Sequence, residues 1–246
     1  EDMANVQFQQ YKVWDLPTRV FHWVNFITIT SLIFVGLIML FKKELGITSL
    51  EAKVSLKEIH VIIGYLFVLN FTWRITWGFI GNKYARWKQL IPHRGFKDEL
   101  HSYISSARNG EPLQYTGHNP MGRLAIIFIF LLMTTMMVTG LIRAGTDIYY
   151  PPFGSLAADY ITVPGTDPAS IQPYVATGTD EEKVKNLKAF KGPFGTIHIY
   201  TSYVLMLMIV LHIFFVLRAE IREGGSLITA MFTGKKVLTK KPVDLD

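Results

Sequence analysis

The sequence contains no cysteine, and this absence removes disulfides, thiolate-bound iron–sulfur clusters, zinc knuckles and thioether-attached haem together. Any metal must be held by histidine, carboxylate or methionine. An extended polar domain is also missing. Half of the 246 residues are apolar and only 18% are charged, the composition of an integral membrane protein rather than a soluble enzyme. The net charge of +6 does not point to nucleic acid, because the basic residues lie in short segments flanking apolar runs rather than on a soluble basic face. Lipid is the expected surrounding, and no nucleic-acid partner is expected.

Four apolar runs are each long enough for the ~20 residues that a hydrocarbon core requires. They cover residues 20–41, 59–80, 122–142 and 196–217. The first follows a long mixed segment and has no small-residue cleavage site after it, so it is expected to remain as a span rather than be removed as a signal peptide. The expected fold is all-α: a four-transmembrane-helix, up-down bundle forming a single domain over residues 1–246, with a long loop over 144–195. Of the 25 Lys and Arg, fifteen lie in the N-terminal segment, the loop 81–123 and the tail from Arg218; nine lie in the other two loops and Arg74 lies within span two. The positive-inside rule then places both termini in the cytoplasm.

That topology assigns heights. His60 opens span two and His198 opens span four, at the same outer level. His212 follows His198 by 14 residues, roughly 21 Å along a helix and about 40° short of four turns, so the two point from nearly the same face. His22, at the start of span one, lies at the level of His212. A single membrane histidine is as readily a helix–helix hydrogen bond as a ligand, whereas four that pair by height point to a cofactor. Zinc requires three or four ligands around one point, which pairs some 20 Å apart cannot supply. Two imidazoles from facing helices, axial to one planar iron macrocycle, fit the pattern, and two b-type haems are therefore expected.

Other residues bear on the same site. Arg74 falls at the height of His212, where a buried guanidinium needs an anion such as a haem propionate; the other reading is an arginine snorkelling to the interface. Gly36 lies at the level of the outer pair, and Gly64 follows His60 by one turn. Either glycine would admit a macrocycle, and helix packing is the competing explanation. His93 and His101 belong to the basic loop and are expected to be solvated. His118 and Asn119 stand at the membrane edge.

The stretches VWDLPTRVFHW (13–23), HVIIGYLFVLNFTWRITWGFIG (60–81), GHNPMGRLA (117–125) and HIFFVLRAEIREGGSLITAMFTG (212–234) resemble the b-type cytochrome subunits of bacterial nickel–iron hydrogenases. These belong to the bacterial cytochrome b561 group, with the formate dehydrogenase gamma subunit a more distant relative. The resemblance covers most of the chain. It implies two haems b with His22, His60, His198 and His212 as axial ligands, in agreement with the pairing by height. It also implies residence in the bacterial cytoplasmic membrane and electron exchange between membrane quinone and a periplasmic redox subunit, whether hydrogenase-like, a dehydrogenase or a multihaem cytochrome.

Quinone is expected at the cytoplasmic edge beside His118 and Asn119, which offer hydrogen-bonding groups there, unless Asn119 and Pro120 serve only to cap and start span three. Arg19 and Arg123, at the same edge, join Arg74 as candidate propionate partners. The outer loop departs from the family pattern in its length. In it, DIYYPPFGSLAADY (147–160) is expected along the membrane surface and DEEKVKNLKAF (180–190) as a short amphipathic helix; together they either cap the bundle or dock the partner. SLITAMFTGKKV (226–237) reads as an interfacial helix with a basic end. Two other functions compete: a self-contained cytochrome b561-type oxidase or reductase acting on a small molecule such as superoxide or ferric iron, and a histidine-bearing transporter or redox-silent anchor.

Overall fold

A computed structural model describes residues 8–223 and 226–245; the glycine pair 224–225 of the last motif lies outside the described residues. In chain order the elements are β1 (Gln9–Lys12), α1 (Leu16–Leu40), α2 (Leu50–Ile80), α3 (Trp87–Leu90), α4 (Phe96–Arg108), α5 (Pro120–Ile148), α6 (Gly154–Ile161), α7 (Glu181–Glu223), α8 (Leu227–Thr233) and β2 (Lys235–Leu238). The four long helices α1, α2, α5 and α7 are apolar enough to cross a bilayer. Large apolar side chains on them face outward: Phe34 is 65% exposed, Leu69 69% and Val210 62%. Water would not tolerate so much apolar surface, whereas lipid matches it, and a helix satisfies its own backbone there. The fold is the expected all-α, multi-pass membrane class.

The helices outrun the apolar stretches because hydropathy marks only the part inside hydrocarbon, while hydrogen bonding continues into polar turns. The clearest case is α7, whose 43 residues trace roughly 65 Å, about twice a hydrocarbon core. The segment 180–190 is therefore not a separate short helix, as its amphipathic spacing suggests. Asp180 caps α7, its carboxylate accepting from Lys183 N at 3.0 Å, and Glu181 and Glu182 complement the helix dipole. The helix runs on through Pro193. SLITAMFTGKKV is likewise only partly helical: α8 stops at Gly234, which takes φ +78°, and the lysines that follow belong to β2.

The chain divides into two compact units, each containing a segment of all four long helices. One comprises Glu1–Asn25, Asn70–Leu131 and Met206–Asp246. Here β1 pairs antiparallel with β2, Gln9 opposite Leu238, a contact that neither short strand announces locally. Asp15 starts α1 by accepting from Thr18 N at 3.1 Å and also receives Trp77 Nε1 at 2.9 Å. Burial alone would raise the Asp15 carboxyl, but hydrogen bonds from Thr18, Trp77 and Asn82 outweigh it and hold the group below its usual value.

The other unit comprises Phe26–Leu69 and Leu132–Leu205. Its long loop is ordered by its own backbone: Val163 N donates to Gly178 O at 3.1 Å and Asp180 N to Ile161 O at 2.8 Å. It is tied to α2 by Tyr65 Oη, which donates to Pro151 O at 2.5 Å, and by Tyr150 Oη, which donates to Glu58 at 3.2 Å. Ala157, Ala158 and Ile161 of α6 are buried, so this helix packs on one face.

Candidate functional site

In the second unit α2 and α7 bring His60 and His198 together, ring centroids 6.4 Å apart and planes at 74°. Two imidazoles bonded to one metal from opposite sides, each at roughly 2 Å, set their centroids about 6 Å apart. The observed spacing therefore fits a single metal between the rings. Thr139, on α5, fixes one of them. Its hydroxyl lies 2.6 Å from Thr135 O and 2.8 Å from His198 Nδ1, within hydrogen-bond distance of both. When the hydroxyl proton goes to Thr135 O, His198 carries its own proton on Nδ1 and leaves Nε2 with a lone pair, the tautomer that binds a metal. His60 Nδ1 is buried without a hydrogen-bond partner among the described residues.

Small residues line this place. A Cβ at Gly36 would lie 3.6 Å from His60 Cε1, one at Gly140 3.4 Å from His198 Cε1, and one at Gly64 would meet nothing within 4 Å. Gly140 and Thr139 have no counterpart in the sequence reading.

In the first unit, His22 and His212 are close enough to interact electrostatically, and His22 Nδ1 is buried without a hydrogen-bond partner among the described residues. Arg74 is only 4% exposed, so it does not reach for solvent. Its guanidinium lies 5.1 Å from the Trp87 ring, 5.3 Å from Phe130 and 5.9 Å from Phe21, and Nη1 has no hydrogen-bond partner among the described residues. Ring faces attract a cation but do not neutralise it. The Trp87 indole reaches this place because position 78 is glycine: a Cβ there would sit 2.2 Å from Trp87 Nε1.

The other edge candidates are more fully occupied. Arg19 donates to Phe232 O. Arg123 pairs with Glu99 at 3.2 Å and donates to His118 O at 3.2 Å. Asn119 accepts from Gly122 N at 2.7 Å and donates to Tyr103 Oη at 2.8 Å, which makes it the cap of α5. His118 packs on Trp14, ring centroids 4.8 Å apart. Burial, reinforced by Lys236, Arg74, His212 and Arg123, pushes its pKa down to about 3, so near neutral pH it is an uncharged donor and acceptor. His93 and His101 are exposed, in line with their reading as solvated. Among the described residues, no three His, Asp or Glu gather around one point as a metal cluster.

The turn before His118 is clamped by residues that local pattern does not reveal. Buried Lys236 donates to Tyr115 O at 2.7 Å, Thr116 O at 3.4 Å and Gly117 O at 3.2 Å. The Asp244 carboxylate accepts from Thr116 N at 2.7 Å and Gly117 N at 2.9 Å. Lys236→Met leaves buried carbonyls without a donor and is expected to lower stability by about 1–3 kcal/mol, read as an earlier thermal unfolding midpoint in detergent. Lys236→Arg should recover part of the loss.

A family model described as prokaryotic cytochrome b561 matches residues 13–234. The chain is 25% identical over 249 residues to a probable Ni/Fe-hydrogenase B-type cytochrome subunit of Rhizobium leguminosarum bv. viciae, covering 94% of this chain and 91% of the relative. It is 32% identical over 152 residues to the probable subunit of the same name from Rhodobacter capsulatus, covering 57% of each. With the probable Ni/Fe-hydrogenase 1 B-type cytochrome subunit of Escherichia coli (strain K12) it is 29% identical over 139 residues, 52% of this chain and 57% of the relative. These last two matches thus span a little over half the length of each relative.

Proposed function

This chain belongs to the prokaryotic cytochrome b561 family, and from that premise we propose that it holds two haems b, one between His60 and His198 and one between His22 and His212, and carries electrons between membrane quinone and a periplasmic redox subunit. A b-type cytochrome binds haem b, so haem itself follows from membership; the number of haems, the ligands, the quinone and the partner are the proposal. The observation that carries it is the His60–His198 pair at 6.4 Å with Thr139 Oγ1 2.8 Å from His198 Nδ1. Relatives named as hydrogenase cytochrome subunits support a partner of hydrogenase type. The distribution of Lys and Arg supports a cytoplasmic-membrane protein with both termini inside.

Bound haem supplies one-electron chemistry. The chain's residues prepare it. Thr139 keeps His198 Nε2 free, the small residues at 36, 64 and 140 leave room, and the apolar walls exclude water. Arg74 presents a positive charge suited to a propionate of the inner haem. Quinone is assigned to the edge beside His118, whose neutral imidazole N–H would donate a hydrogen bond to a quinone carbonyl. Asn119 holds the start of α5 in place and supports that edge through its cap. Arg19 and Arg123 remain secondary candidates for propionate contact, each with a protein partner already.

The test is purification in mild detergent with haem supplied during expression. Two haems b per chain, reduction of both by a quinol, and loss of quinol-driven reduction in His118→Ala with both haems retained are expected. A protein that folds, receives haem and shows no Soret band would overturn the proposal. Unchanged quinol turnover in His118→Ala would move the quinone site elsewhere.

A further inference from the structure

Beyond the histidine pair, the second unit contains a charge cluster with an unbalanced sum. Asp147, 7% exposed, accepts from Lys57 Nζ at 3.0 Å and Lys191 Nζ at 2.7 Å and is paired with Arg143. Both lysine side chains are about four-fifths buried. Lys57 also contacts the Tyr174 hydroxyl, and the Tyr174 ring lies 4.9 Å from Lys57 Nζ and 5.8 Å from Lys191 Nζ. Glu58, the neighbouring carboxylate on α2, is engaged by Tyr150 Oη at 3.2 Å. Three cations thus share one carboxylate, and two positive charges are left over in a largely desolvated place. Such a surplus calls for an anion.

The position of the cluster says which. Lys57 lies one turn before His60 on α2. Lys191 lies two turns before His198 on α7. Arg143 lies one turn after Thr139 and Gly140, the α5 residues that touch His198. All three cations are therefore displaced toward the same end of the histidine pair, by one or two turns, roughly 5–10 Å. Arg143 is close enough to His198 to act on it electrostatically. It reaches α7 because position 195 is glycine, where a Cβ would meet Arg143 Nη1 at 2.0 Å.

We propose that Lys57, Arg143 and Lys191, organised by Asp147, form the seat for the carboxylates of the haem between His60 and His198. The inference rests on those two histidines being ligands. Asp147 is the positioning residue: it gathers three cations without cancelling them, so that two charges remain for the two carboxylates of one haem. Tyr174 closes the cluster from the loop side and thereby links the ordering of the long loop to the occupancy of this seat.

The test uses the full chain in detergent, with haem content measured as the pyridine haemochrome and the two midpoint potentials separated by redox titration. Lys57→Met and Lys191→Met are each expected to keep two haems but to shift one of them toward the ferric form by about tenfold in the equilibrium constant, a fall of about 59 mV for one electron. The other haem should be unmoved. Asp147→Asn is expected to shift the same haem in the opposite direction, and Lys57→Arg to restore the wild-type value. The double variant Lys57→Met/Lys191→Met should release one haem on gel filtration. Potentials and haem content unchanged in both single variants and in the double variant would overturn the seat while leaving the two-haem reading intact. A wild-type chain that binds no haem would instead overturn that reading. A network with a purely structural role would lower the thermal midpoint in all variants without opposite shifts of potential, and that result too would overturn the proposal.

Discussion

Replacing His198 by alanine is expected to take the bound haem from two per chain to one, and the haem lost should be the one lost in His60→Ala. His22→Ala and His212→Ala should each remove the other. The prediction follows from geometry: one imidazole cannot supply both axial bonds, and the partner 6.4 Å away is left facing an apolar space. Reduced-minus-oxidised spectra at low temperature separate the two haems. The corresponding glycine variants supplied with imidazole should regain the missing signal if the fold is intact. The assignment fails if His22→Ala and His198→Ala lose the same haem, or if the members of either pair lose different ones.

The second large effect is expected at Arg74. Its Nη1 is without a hydrogen-bond partner among the described residues and its guanidinium sits among three aromatic rings, where water does not screen its charge. A unit charge roughly 10 Å from a redox centre, at an effective dielectric constant of about 20, is worth about 1.7 kcal/mol, or roughly 70 mV for one electron. Arg74→Leu should therefore lower the midpoint potential of the haem assigned to His22 and His212 by tens of millivolts, since removing a cation favours the ferric form. Arg74→Lys keeps the charge but loses the planar stacking surface, so the potential should largely survive while thermal stability declines. An unchanged or raised potential in Arg74→Leu would separate this arginine from the haem.

Local spacing is enough to predict four spans, which face of span four carries both His198 and His212, and the common level of His60 and His198. These are properties of one helix at a time, together with the alternation of direction. The Lys57–Asp147–Arg143–Lys191 cluster is of another kind. Only the Arg143–Asp147 contact is local, an i,i+4 pair, and the two lysines arrive from α2 and α7. The same holds for β1 with β2 and for Lys236 beneath residues 115–117, where partners more than a hundred residues apart leave no periodic trace. The merging of residues 180–190 into α7 is hidden differently: a proline inside a helix ordinarily breaks or kinks it, yet α7 continues past Pro193. At Asn119 the sequence offers two roles, and the hydrogen bonds to Gly122 N and Tyr103 Oη fill the capping one.

The pairing of Gln9 with Leu238 also sets a schedule. A ribosome adding about 5–20 residues per second needs roughly 10–45 s to pass from the first of these positions to the second. For all of that interval β1 has no neighbour, and Val13, Trp14 and Arg19 lack the Gly234 and Phe232 carbonyls they bond in the finished protein. Membrane insertion of the first three long helices must therefore proceed with the amino-terminal segment unlatched. The latch closes only after α8 has emerged, and from then on the start of α1 and the end of α8 are held by the same few bonds.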